Sequence, residues 1–236
     1  GKLKLTGSWT KNMRVSYYSG GGMVNEYTRF EIYSDSASYT LHMNQATNKY
    51  ELKFTQAELD QIAKLFYENG YLNLRSTKHE VIYDKGSRSI MICDGSVCEE
   101  KGSSATESYT GRDGETLYKI QNEVLAMVQK KVAQLPQAKI ELVFEKSLIN
   151  TKYDYSVQFE PSPYQYNSKS DGKLNETSFD LPHGSYNVNV YTHRQLPGGG
   201  TKYGGSGHAT LDTKENNCLT IGMAKDSTIT IIPSKK

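Results

Sequence analysis

From Trp9 onward, apolar and polar residues alternate: Trp9, Met13, Val15 and Tyr17 fall on one face, while Thr10, Asn12, Arg14 and Ser16 fall on the other. A period of two marks a half-buried strand. After the run Ser19-Gly20-Gly21-Gly22 the alternation returns three times, with Phe30 and Ile32, then Tyr39, Leu41 and Met43, then Tyr50, Leu52 and Phe54 as the inward positions. Short polar loops at Ser34-Asp35-Ser36 and Ala46-Thr47-Asn48 separate these strands, as a meander requires. Thr55-Gln56-Ala57-Glu58 has the form of a capping box, and Leu59, Ile62, Ala63 and Phe66 follow at helical spacing until Asn69-Gly70. Further strands are expected at Val81 to Tyr83, Ser89 to Cys93 and Val97 to Glu99, before a polar stretch from Lys101 to Gly114. A second helix begins near Asp113 and carries Leu117, Ile120, Val124, Val128 and Val132 on one stripe, up to Leu135-Pro136. Strands grouped with two amphipathic helices predict an α+β domain over residues 1–136, an antiparallel sheet with both helices on one face.

Beyond Pro136 no helical period survives. Ile140, Leu142 and Phe144 point one way, as do Tyr153, Tyr155, Val157 and Phe159, then Tyr186, Val188 and Val190. Ala209 and Leu211, then Leu219, Ile221 and Met223, then Ile229 and Ile231 continue the pattern. With a strand near Phe179 that makes seven, and residues 137–236 are expected to form an all-β sandwich domain of the immunoglobulin-like kind.

The segment Phe179-Asp180-Leu181-Pro182-His183-Gly184-Ser185-Tyr186-Asn187-Val188 resembles the Leu-Pro-x-Gly-x-Tyr-x-Val stretch of transthyretin-like, carboxypeptidase-regulatory-like and other immunoglobulin-like modules. The resemblance covers about ten residues and implies a late core strand, with the glycine allowing the turn and the tyrosine closing the corner. Such modules are accessory or adhesive parts of exported proteins. In the amino-terminal half, a Gly-rich first hairpin, a Phe-x-Ile-Tyr strand and a Thr-x-x-Glu-Leu helix resemble uncharacterised domains of Gram-negative exported lipoproteins. Gly7-Ser8-Trp9 matches the opening of lipocalins, but the chain enters a helix after four strands, where a lipocalin continues as an eight-stranded meander.

Charge and composition narrow the function classes. With 28 basic against 26 acidic residues the net charge is +2, and Lys130-Lys131 and Lys235-Lys236 are the only basic runs. Nucleic acid is not an expected partner, because counterion release needs clustered cations. No stretch reaches the apolar length of a membrane span. Eighteen tyrosines supply bulk that six phenylalanines do not. The chain opens at Gly1 rather than Met, which fits a removed export signal and leaves room for a lipid anchor upstream. Cys93 and Cys98 flank Asp94-Gly95-Ser96-Val97, a hairpin signal that sets them opposite one another. The spacing allows a disulfide or two small packed thiols, and Cys218 is left over.

Catalytic signatures fail on spacing. Tyr203-Gly204-Gly205-Ser206-Gly207-His208 lacks the second glycine of a nucleophile elbow, and Pro197-Gly198-Gly199-Gly200-Thr201-Lys202 lacks phosphate-loop spacing. Ser8-Trp9-Thr10-Lys11 and Ser170-Asp171-Gly172-Lys173 sit outside the helix that a Ser-x-x-Lys pair needs, and no cofactor signature is present. His193 and His208 flank the Gly-rich loop; a symmetric hairpin would set them across from each other as a metal pair, with Asp212 nearby. His42, His79 and His183 read as surface residues. Tyr17-Tyr18, beside the first glycine run, and Tyr164 with Tyr166, in Pro161-Ser162-Pro163-Tyr164-Gln165-Tyr166, combine rigid rings with adaptable polar neighbours and are candidate ligand-binding residues. The expectation is an extracytoplasmic binding or structural module of the bacterial cell envelope, in the periplasm or at the cell surface, with a protein or glycan ligand. The alternative is a hydrolytic or metal-dependent enzyme with its site between the two domains.

Overall fold

The computed structural model describes residues 1–149, 153–162, 165–167 and 178–236, with the backbone course alone for residues 149 and 165–167. The structure is mostly β, with several antiparallel sheets. The chain divides into two compact units: Gly1–Asn44 with Lys49–Gln134, and Leu135–Lys236 with Gln45–Asn48.

β1 (Met13–Gly20), β2 (Glu26–Ile32), β3 (Ala37–Met43), β4 (Ala46–Leu52), β6 (Ser87–Asp94) and β7 (Val97–Ser103), all of the first unit except the first three residues of β4, form one sheet in the order β4-β3-β2-β1-β6-β7. Register aligns the inward positions: Val15 lies between Ile32 and Ile92, and Tyr17 lies between Phe30 and Ile90. All six side chains are buried, so each apolar residue packs against its neighbours on both adjacent strands. α1 (Gln56–Glu68) starts at the expected capping box: Thr55 Oγ1 accepts from the Glu58 amide, and Glu58 accepts from the Thr55 amide at 2.7 Å. α2 (Gly111–Ala133) buries the predicted stripe Leu117, Ile120, Val124, Val128 and Val132. It meets the sheet's inward residues through Gln129, hydrogen-bonded to Tyr39, and through Asn122, which accepts from Arg88 at 2.5 Å. Lys131 of α2 pairs with Glu58 at 2.7 Å, joining the two helices. A single 3-10 turn at Tyr71–Asn73 buries Tyr71, whose hydroxyl faces the carbonyls of Ile90 at 2.6 Å and Glu99 at 3.1 Å. Burial, together with nearby carboxylates, pushes that phenol far above its ordinary pKa, so it stays a donor between β6 and β7. A two-residue ladder of β5 (Thr77–Lys78) with β8 (Glu107–Ser108) completes the unit.

One expected strand is a loop. Val81 to Tyr83 has β-forming residues, but its side chains face solvent and no sheet partner is formed. Cys93 and Cys98 are directly opposed on β6 and β7 and are joined by a disulfide, with a Cα separation of 4.1 Å; Cys218 is free and buried.

The second unit holds β9 (Gln137–Phe144), β10 (Asp154–Glu160), β11 (Gln165–Asn167), β12 (Ser178–Pro182), β13 (Ser185–Gln195), β14 (Thr201–Asp212), β15 (Cys218–Met223) and β16 (Ile229–Ser234). They form two four-stranded sheets, β11-β10-β13-β14 and β12-β9-β15-β16, so the described residues contain one strand more than the seven expected. The β9–β15 pair is parallel and the other pairings are antiparallel. Both sheets contribute to one core, including Ile140, Leu142, Val157, Phe159, Val188 and Ile221. The glycines of Tyr203–His208 have a packing reason. A Cβ on Gly205 would lie 1.9 Å from the Ser227 carbonyl oxygen, and one on Gly207 would lie 2.2 Å from that of Ile229, so β14 approaches the chain at β16 backbone to backbone.

Three tests follow. Thiol titration of the unfolded, unreduced protein should count one free thiol, that of Cys218; a count of three would show that β6 and β7 are not cross-linked. Burial disfavours the charge on Glu58, but hydrogen bonds from Lys131 and from the Thr55 backbone outweigh it and hold the carboxyl below its ordinary pKa. A depressed carboxyl contributes stability above its unfolded-state pKa and loses it as the pH falls through the folded value. Glu58→Gln should therefore cost about 1 kcal/mol at neutral pH, a capping-sized loss, and the gap in urea midpoints should close in acid; a gap independent of pH would show that the carboxylate charge contributes nothing. Gly207→Ala should destabilise the protein by roughly 1–3 kcal/mol through overpacking, while exposed Ser206→Ala beside it stays near neutral in the same melts.

Candidate functional site

The site grows from two loops that meet at one end of the six-stranded sheet. The first is the β1–β2 turn, where Gly22 has φ +77° and a Cβ would come within 2.8 Å of the Asp84 carbonyl oxygen. Only glycine meets both conditions, and the hairpin tip therefore lies against the second loop, residues 79–86. That loop is pinned to the segment before β8 by His79 N to Thr106 O at 3.0 Å and Ile82 N to Ala105 O at 2.9 Å. With its backbone held there, its apolar residues cannot turn into the core. Met23 and Val24 on the first loop, with Val81, Ile82 and Tyr83 on the second, are between 49% and 84% exposed. Five large, exposed apolar side chains thus sit on two loops whose backbones meet at Gly22 and Asp84, a concentration that singly scattered surface residues do not give.

At the two ends of the same loop stand His79 and Lys85. His79 Nδ1 lies 2.7 Å from the Glu80 carbonyl oxygen, and Nε2 lies 2.9 Å from Ser108 Oγ. Lys85 Nζ donates to the same hydroxyl at 2.8 Å. The neighbouring Glu107 accepts from Ser76, so its carboxylate is engaged elsewhere. Burial and the Glu107 carboxylate raise the pKa of nearby Tyr109.

The tyrosines expected to bind ligand divide. Tyr17 is 4% exposed, stacks on Phe30 at 4.9 Å and accepts from Arg88 Nε at 2.9 Å, so it is a packing residue. The reason is the period of two: consecutive strand residues face opposite ways, and Tyr17 takes the inward side. Tyr18 faces outward and begins a row of rings across three strands, 6.1 Å from Tyr27, which lies 4.9 Å from His42, with Arg29 over Tyr27 at 5.7 Å. Their flat faces are turned to one another, which leaves ring edges toward solvent. Tyr164 lies outside the described residues; Tyr166 pairs with Val157 through its backbone, and its side chain lies outside them.

The metal pair does not form. His193 is opposite Tyr203 and His208 is opposite Asn189, so four positions of β13, roughly 13 Å at strand rise, separate the two. The hairpin closes on the glycine run, with Gln195 opposite Thr201, whereas His193 lies five residues before Gly198 and His208 eight after Gly200; the one-residue register shift between Tyr191 and His193 is too small to bring them together. Asp212 faces Ser185, and among the described residues no three His, Cys, Asp or Glu side chains converge as metal ligands.

Two open clefts lie elsewhere. One, of about 620 Å³, sets Lys11 and Arg14 near Asp35 beside the β6–β7 turn, where opposite charges offset one another. The other, of about 490 Å³, is lined by Tyr153, Gly204, Ser206, Met223 and Asp226 in the second unit. Sequence reasoning missed Ser108 as a partner of His79, since 29 residues separate them and they meet through the two-residue β5–β8 ladder and the backbone bonds beside it. It also assigned Val81 to Tyr83 to a strand, although the Asp84-Lys85-Gly86 turn chemistry beside them was a readable sign of a loop. Among the described residues no helix is long and apolar enough to cross a membrane. The chain matches no family model and none of the curated proteins.

Proposed function

We propose that this chain is an extracytoplasmic binding module of a bacterial cell envelope, and that its amino-terminal unit binds a protein partner through the tips of the β1–β2 turn and loop 79–86. The observation that carries the reading is the exposure of Met23, Val24, Val81, Ile82 and Tyr83 on two touching loops. Removing that patch from water is the favourable step in an association, at about 25 cal/mol per Å² of apolar surface before ordering costs. A protein partner fits better than a glycan, because Met, Val and Ile offer no hydrogen bonds to hydroxyl groups. The row Tyr18, Tyr27 and His42, with Arg29, supplies a polar-aromatic border of the type found around binding surfaces.

The frame for this surface is an α+β domain, followed by an immunoglobulin-like sandwich of the transthyretin-like or carboxypeptidase-regulatory-like kind. Two features support the second assignment: two four-stranded sheets around a shared core, and Tyr186, whose hydroxyl donates to the Pro182 carbonyl at 2.6 Å. A tyrosine bonded back to backbone a few residues upstream is the corner device of such sandwiches. A cross-link between Cys93 and Cys98 supports an oxidising compartment.

Selection of a displayed random-peptide library against the whole protein tests the binding reading. Recovered peptides should be rich in apolar and aromatic residues, and should lose roughly tenfold or more in affinity for the double variant Ile82→Ser/Tyr83→Ser, whose melting temperature should match the wild type because both side chains are exposed. Peptides that bind the double variant as tightly as the wild type would place recognition elsewhere.

A further inference from the structure

We infer that Ser108 is the nucleophile of an acyl-transfer site, with His79 as its general base and Lys85 as a fixed cation on the hydroxyl, and that the substrate class is an ester bearing an apolar acyl group. The inference goes beyond binding: its catalytic groups are three polar side chains outside the apolar patch, and only its acyl preference draws on that patch.

Donor and acceptor roles follow from the partners. The Glu80 carbonyl only accepts, so in the neutral imidazole of His79 the proton sits on Nδ1, 2.7 Å away. Nε2 then carries its lone pair toward Ser108 Oγ at 2.9 Å and accepts the hydroxyl proton. The Lys85 ammonium has no lone pair and can only donate, which it does to the same oxygen at 2.8 Å. Ser108 Oγ thus gives one hydrogen bond, receives one, and retains a lone pair for attack. A base oriented through its second nitrogen, bonded to a serine, is the arrangement that nucleophilic catalysis needs, with a backbone carbonyl here in the orienting position. A cation on the oxygen further favours the alkoxide as it forms.

In the first step the Ser108 Oγ–H proton passes to His79 Nε2 as a bond forms from Oγ to the ester carbonyl carbon. The carbon–oxygen bond to the leaving alcohol then breaks, and the alcohol departs with the proton held by His79. Water, deprotonated by the same nitrogen, attacks the acyl-serine; Ser108 regains its proton, and a carboxylic acid leaves. No redox partner or metal enters the balance. The acyl preference follows from the loop itself, because exposed Val81, Ile82 and Tyr83 lie in the chain between His79 and Lys85, the two residues that hold the reacting hydroxyl. Ser108 is half-buried on a strand and His79 half-buried on a pinned loop, so the pair is accessible to substrate while its geometry is held at both ends.

The test treats the full chain with an alkyl fluorophosphonate and locates the adduct by peptide mass spectrometry. The adduct is expected on Ser108. Labelling should be absent in Ser108→Ala and should slow by about tenfold or more in His79→Gln, the low end of a general-base contribution, with the melting temperature unchanged. Lys85→Met should also slow it, and hydrolysis of p-nitrophenyl butyrate should rank the four proteins in the same order. No adduct, adducts spread over other serines, or equal labelling rates in the wild type and His79→Gln would overturn the proposal. The adduct position is read on the wild type, so it decides the matter even where a variant fails to fold.

Discussion

In both units the structure depends on backbone meeting backbone at distances that admit no Cβ. At Gly205 and Gly207 this lets β14 lie against the Ser227–Ile229 segment and narrows the gap between the two sheets of the second unit. At Gly22 it lets the hairpin tip rest on Asp84, which holds two loops side by side and keeps their apolar ends in solvent. The first contact builds a core and the second exposes a surface, although the steric rule is the same. What differs is what the neighbouring side chains do once the backbones are close. Along β14 the neighbouring strands already supply apolar cover, whereas around loop 79–86 the anchoring hydrogen bonds to Ala105 and Thr106 face the residues away from it.

Much of the frame was legible because it follows from periodicity. The capping box at Thr55, the stripe of α2 and the inward sets of β1 to β4 depend on residues close in sequence, and their burial agrees with the pattern apart from partly exposed Leu41 and Met43. Cys93 and Cys98 were readable for the same reason, since a short turn fixes which residues oppose each other. Tyr17 shows how a compositional argument loses to a periodic one: glycine-rich surroundings suggested a surface, and the alternation of the strand placed the ring in the core.

The rest was not legible because it depends on long-range register. The separation of His193 from His208 is decided by where the β13–β14 hairpin turns, with Gln195 opposite Thr201, and a run of three glycines does not announce which residues will face each other across it. The meeting of His79, Lys85 and Ser108 requires a two-residue ladder, too short to give any hydrophobic pattern. Val81, Ile82 and Tyr83 look like a strand to any reading based on propensity, since β-branched and aromatic residues favour sheets only when a partner strand is there to receive them. Here the edge positions of the sheet are taken by β4 and β7.

That assignment of edges gives the cross-link a role beyond holding a turn. A disulfide between residues five apart closes a very short loop and constrains little of the unfolded chain, so its contribution to global stability is small by the loop-closure account. β7, however, is a sheet boundary with unpaired backbone groups on its outer side, the feature through which β proteins exchange strands and build fibrils. Tied to β6 at Cys93 and Cys98, and bridged again by the Tyr71 hydroxyl, this border cannot peel away to template another chain without dragging the second strand out of the core. The bond acts as a guard against assembly for as long as it stays oxidised.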